Sequence, residues 1–111
     1  MYKIITVILL VIVAFDGFGQ KIYKAEYASQ ADIKVYITAY ESQADLKVYF
    51  VDYESQANAD GLWYAVKYQS QAKYKVYFVN YESQADLKIY IVSYQSQAGW
   101  RNSQKQHLLK F

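Results

Sequence analysis

The sequence predicts an all-β domain, small and compact, wound from about six short strands at a 13-residue period. Three observations carry this reading. The tripeptide Ser-Gln-Ala occurs six times, as Ser29-Gln30-Ala31, Ser42-Gln43-Ala44, Ser55-Gln56-Ala57, Ser70-Gln71-Ala72, Ser83-Gln84-Ala85 and Ser96-Gln97-Ala98. A tyrosine stands two positions before each copy, at Tyr27, Tyr40, Tyr53, Tyr68, Tyr81 and Tyr94. Between copies lie runs such as Leu46-Lys47-Val48-Tyr49-Phe50-Val51 and Leu87-Lys88-Ile89-Tyr90-Ile91-Val92, rich in the β-branched and aromatic residues that suit a pleated surface.

Residues 1–19 read as a secretory signal peptide. Lys3 supplies the positive start, and Ile4 to Phe15 form a twelve-residue run that is apolar but for Thr6. Gly17 and Gly19 then place small residues around a cleavage site before Gln20. A membrane-spanning helix needs ~20 apolar residues, and Asp16 ends this run too early. The expected mature chain begins at Gln20, is exported, and meets the membrane only through an uncleaved signal. Zero cysteine excludes disulfides and a lipid-anchored start. Packing alone must therefore stabilise residues 20–100, the expected single β domain, with 101–111 as a polar tail.

The first strand is the partial copy Lys21-Ile22-Tyr23. In the full runs, alternation places Leu46, Val48 and Phe50 on a core face, and Lys47, Tyr49 and Val51 on an amphipathic one. The turns lack proline and the Asn-Gly or Asp-Gly pairs of two-residue hairpins. That argues for winding over an antiparallel meander. Ser and Gln are suited to bonding the bending backbone, Ala to close approach of neighbouring turns, and stacked glutamines to amide ladders. On this view leucine at Ala44 or Ala85 overpacks an arc. Beyond the repeats, Leu108, Leu109 and Phe111 can dock on the open end of the core or form a short helix.

The tyrosine spacings are 13, 13, 15, 13 and 13, symmetric about an insertion near Asn58 to Trp63. A simple β-solenoid has no reason to be bipartite. Two intertwined half-chains of three windings, each completing the other's core, explain the symmetry. The Ser-Gln-Ala-Asp-Leu-Lys-Val-Tyr units, the central Leu62-Trp63-Tyr64 and the closing Ser96-Gln97-Ala98-Gly99-Trp100 resemble the septoil-knot domain family of small bacterial proteins. The resemblance covers roughly residues 21–100 and implies a knotted, double-wound all-β fold. It brings no catalytic or ligand-binding residue.

The chemistry-bearing residues point the same way. Six serines cannot all share the one histidine, His107, as base, so the Ser-Gln-Ala copies are read as structural turns. Asp32, Asp45 and Asp86 recur after Ala, but Lys73 and Gly99 replace them in two copies. Calcium-binding β-rolls are glycine-rich, and this chain has four glycines. No metal or cofactor is expected. Lys-x-Tyr pairs recur at Lys21, Lys34, Lys47, Lys75 and Lys88, yet a net charge of +2 is too small for a nucleic-acid stripe. The leading expectation is an exported structural or interaction module that is not an enzyme. Its alternative is a binder of cell-surface glycans, through exposed tyrosines such as Tyr49 and Tyr77.

Overall fold

The computed structural model describes residues 20–109, so the expected signal at 1–19, with Lys110 and Phe111, lies outside the described residues. Seven strands follow in chain order: β1 (Gln20–Lys24), β2 (Ile33–Ile37), β3 (Leu46–Phe50), β4 (Leu62–Val66), β5 (Tyr74–Phe78), β6 (Leu87–Ile91) and the short β7 (Gly99–Trp100). Six of them close a parallel barrel in the order β4-β1-β5-β2-β6-β3, with β3 pairing back to β4. β7 joins the start of β3 antiparallel.

The order interleaves two halves of the chain. Strands β1, β2 and β3 alternate with β5, β6 and β4, so within each half successive strands are separated by a strand of the other. Each connection must then cross that intervening strand. The turn at 28–30 packs on β5, that at 69–71 on β1, and that at 82–84 on β2. Parallel neighbours usually need a crossover of a dozen or more residues; here eight, 25–32, join β1 to β2. Five-residue strands and one tight turn suffice because only a single strand is skipped. The sheet therefore has no hairpin meander, and it departs from a simple solenoid by being double-wound.

Register explains why the core is continuous. Inward residues pair directly across the barrel wall: Ile22 with Tyr74, Val76 with Ile33, Val35 with Leu87, and Ile89 with Leu46. All eight are buried, and with Val48, Trp63 and Leu109 they form one cluster. Each half supplies alternate staves, so neither half has a core without the other. The third inward position differs from expectation. Phe50 and Ile91 are 38% exposed and Ile37 48%, because these residues end their strands at the barrel rim, beyond the last closed layer.

A 3-10 turn follows each of the first six strands, over 28–30, 41–43, 54–56, 69–71, 82–84 and 95–97. Backbone bonds close these turns: the Gln30 N–H donates to the Tyr27 carbonyl and the Ala31 N–H to that of Ala28, and so on through the series. Side chains contribute at two. The Gln56 Oε1 accepts the Tyr53 N–H at 3.1 Å, and the buried Thr38 hydroxyl donates to Gln43 Oε1 at 3.2 Å. No bond joins one turn glutamine to another among the described residues. Glutamine ladders need equivalent turns stacked at strand spacing, and here the other half's strand lies between them.

Of the turn alanines, Ala44 and Ala57 are buried and Ala85 is half-buried. Ala44→Leu is accordingly expected to cost about 1–3 kcal/mol by overpacking, and Ala85→Leu less. Urea unfolding of both variants checks this; an unchanged midpoint for Ala44→Leu would show that the site has spare room.

Candidate functional site

The outer face of the barrel carries the repeated polar residues, and the register arranges them in cross-strand pairs. Lys21 lies beside Tyr64, Lys75 beside Tyr23, Lys34 beside Tyr77, Lys88 beside Tyr36, and Lys47 beside Tyr90. All six outward strand tyrosines, Tyr49 and Tyr77 included, are half-buried, because the crossing turns cover the sheet. The turn tyrosines are the exposed set. Tyr27, Tyr40, Tyr53, Tyr68, Tyr81 and Tyr94 are each 63% to 68% exposed, one per turn around the molecule.

Glutamates at the turn starts hold three of the lysines. Lys47 meets Glu41 at 3.7 Å and Lys88 meets Glu82 at 3.2 Å, in both cases six residues apart in sequence. Glu54 has Asp60 at that spacing, because the insertion shifts β4, and it pairs with Lys21 of β1 at 3.0 Å instead. This six-residue Glu–Lys interval is visible in the repeats, and it is the signal that repeat counting alone misses.

The repeated aspartates are backbone clamps. Asp32 donates its N–H to the Lys75 carbonyl, while its Oδ2 accepts the Lys75 N–H at 2.9 Å. Asp45 does the same with Lys88, and Asp86 with Lys34. One carboxylate thus extends each ladder past the strand start, satisfying an amide that the neighbouring strand leaves open. Among the described residues no group of three His, Cys, Asp or Glu side chains comes together as a metal site.

A second polar network closes the barrel where the insertion falls. The Gln20 side chain donates to Asp60 Oδ1 at 2.8 Å and accepts the Gly61 N–H at 3.0 Å, while Trp100 Nε1 donates to Asp60 Oδ2 at 2.7 Å. From Trp100 the tail folds back over the strand starts. Arg101 and Asn102 donate their N–H groups to the Asp45 carbonyl, and the Arg101 guanidinium reaches the Ser42 carbonyl at 2.8 Å. Residues Ser103–Leu109 form a 3-10 helix that seats Leu109 in the core. His107 is exposed, its ring against the Gln104 carbonyl, 2.9 Å away in the same helix.

Tyr74 anchors that tail. It is a core residue whose hydroxyl donates to the Leu109 carbonyl. Burial, helped by the charge on Asp60, pushes its phenol up to about 12. A raised folded-state value means stability that is complete below the unfolded value near 10 and lost as pH climbs towards 12. The stability difference between wild type and Tyr74→Phe is expected to fall by about 1.4 kcal/mol per pH unit over that window. Denaturant unfolding from pH 9 to 12 measures it; a constant difference would mean an ordinary phenol.

Grooves open to solvent lie between the turns. One lies beside Lys21, Glu54, Tyr64 and Tyr68, and a second beside Ala28, Lys34, Tyr77 and Ser83. The Ser-Gln-Ala serines sit on the exposed turns, spread around the barrel and not gathered at a base.

Comparison with curated proteins and with solved structures gave no match. Comparison with protein families matched one, described as the 7(1) septoil knot domain, over residues 19–101. That span takes in all six barrel strands, their crossing turns and β7. An all-β repeat whose two halves alternate around one closed barrel is the double winding that such a knot requires, and the chain belongs to the septoil-knot domain family.

Proposed function

We propose that the protein is an exported structural or interaction module without a catalytic centre, whose fold resists dismantling. The interleaved barrel is the observation that carries this: no strand leaves the sheet without withdrawing its partners in the other half. Local opening, which exposes most domains to proteases, is thereby tied to global unfolding. Trypsin digestion of the full chain under native conditions tests the reading. Residues 21–100 are expected to survive, although Lys24, Lys34 and Lys67 are exposed; rapid cleavage among them would sink it. Recovery of secreted protein beginning at Gln20 tests export separately.

A second reading, binding of cell-surface glycans, is favoured by the six exposed turn tyrosines. Large aromatic faces presented to solvent at regular intervals suit the apolar faces of sugar rings, and they carry a hydroxyl for the polar edge. The strand tyrosines Tyr49 and Tyr77 are less suited, being half-covered. A glycan array should therefore show binding that is lost in Tyr40→Ala/Tyr81→Ala and retained in Tyr49→Ala.

A further inference from the structure

We infer that the face formed by β5 and β2 binds a linear acidic polysaccharide, with Lys34 and Lys75 as its cationic anchors; this rests on the glycan reading above. The periodicity of the barrel makes the exceptions informative. Lys21, Lys47 and Lys88 each have a turn glutamate at ion-pair distance. The residue six before Lys34 is Ala28, and the residue six before Lys75 is Gln69. Neither lysine has an ion pair among the described residues, and the two stand on adjacent strands.

The surroundings reinforce the difference. Lys73 occupies the position that holds aspartate in three other copies, so the start of β5 lacks that carboxylate. Asp32 and Asp86 each bond a backbone amide, of Lys75 and Lys34 respectively, and neither forms an ion pair with those lysines' ammonium groups. Farther along, Lys24 and Glu26 line the next groove, with the Lys24 ammonium over the Phe78 ring. Beside Lys34 the groove is open to solvent, about 520 Å³, and lined by Ala28, Tyr77, Ser83 and Gln84. In the equivalent groove one winding away, Glu54 stands where Ala28 does here and neutralises Lys21.

The turn at 28–30 packs on β5, which carries Lys75, and its Ala28 lines the groove beside Lys34. Diagonal neighbours on a sheet face stand roughly 7–8 Å apart, so a ligand touching both must be extended and must cross that turn. Exposed Tyr27 stands at the start of the turn. A polyuronate, which sets one carboxylate among several hydroxyls on each sugar, matches cations interleaved with tyrosine, serine and glutamine. Nucleic acid, whose backbone is held mainly through its phosphates, calls for a continuous basic stripe, which a net charge of +2 does not supply.

Affinity electrophoresis of the protein through gels containing polygalacturonate, neutral dextran or a single-stranded DNA oligonucleotide tests this. Retardation by polygalacturonate alone is the expected result. The decisive variant is Ala28→Glu/Gln69→Glu, which leaves both lysines in place and gives each the glutamate its equivalents have. It is expected to weaken polygalacturonate binding about tenfold or more while the thermal midpoint holds or rises. Should that variant fail to fold, Lys34→Gln/Lys75→Gln is read instead, with the same loss expected. Undiminished binding by either variant overturns the inference, and so does equal or tighter retention by the oligonucleotide. Equal retention by dextran and polygalacturonate overturns it but leaves the tyrosine-based glycan reading standing. Retention by neither polysaccharide removes both.

Discussion

Replacing Gly61 with alanine is expected to cost the domain about 3 kcal/mol or more, enough to unfold it near physiological temperature. Gly61 has φ +90°, a conformation that costs a residue with a Cβ. The added Cβ would also lie 2.6 Å from the Lys47 carbonyl oxygen and 2.9 Å from the Gly99 nitrogen. Both are backbone atoms of paired strands and have little freedom to retreat. Gly61 is further tied by its N–H to Gln20 and by its carbonyl to the Tyr49 N–H at 2.8 Å. Strands β1, β3 and β7 thus converge on one residue where the barrel closes. Gly99→Ala is the matched control. Its φ is +144°, but an added Cβ meets nothing within 4 Å, so it is expected to lose well under half as much. Guanidinium unfolding of the two variants compares them, and equal losses would show that backbone angle alone, not crowding, sets the requirement.

Trp63→Ala is expected to be as severe, at about 3–5 kcal/mol. Trp63 is wholly buried in β4, and its ring meets Phe50 edge-on, with centroids 6.0 Å apart. It fills the interior at the seam, where Trp63 of β4 lies in register with Phe50 of β3. Its indole N–H has no acceptor among the described residues, and an unsatisfied buried donor costs about 1–3 kcal/mol. Trp63→Phe loses volume but removes that donor. The two effects oppose, and Trp63→Phe is expected to fall within about 1.5 kcal/mol of wild type. Thermal unfolding separates the pair; if Phe were as damaging as Ala, the indole shape would matter more than its polarity.

Much of this architecture was legible in one dimension because the repeat is regular and alternation has period two. Ile33, Val35, Leu46, Val48, Leu87 and Ile89 follow the pattern and are core residues. Leu62 and Trp63 break it, being consecutive and both buried, since Leu62 packs outward with Val51 and Ala57 in a separate small cluster. Phe50 obeys the pattern yet meets solvent, because periodicity says which face a residue occupies and nothing about where a barrel ends. The outer face was less legible. In sequence the aspartates merely follow the turn alanines, and only the position of the neighbouring strand shows that each clamps a particular backbone amide.

The sequence by itself determined the unit, its strand and turn, the bipartite count and the inward residues, because these depend on side chains close together along the chain. Only the tertiary structure decided which strands are neighbours. Ile22 lies beside Tyr74 and Ile89 beside Leu46, partners 52 and 43 residues apart, and copies this alike could pair in several registers with almost the same local energy. Closure of the barrel selects one of them, since only when the halves alternate does each half cover the other's apolar face. That choice also places Lys34 and Lys75 together without glutamates, a juxtaposition that becomes visible once the windings are laid side by side.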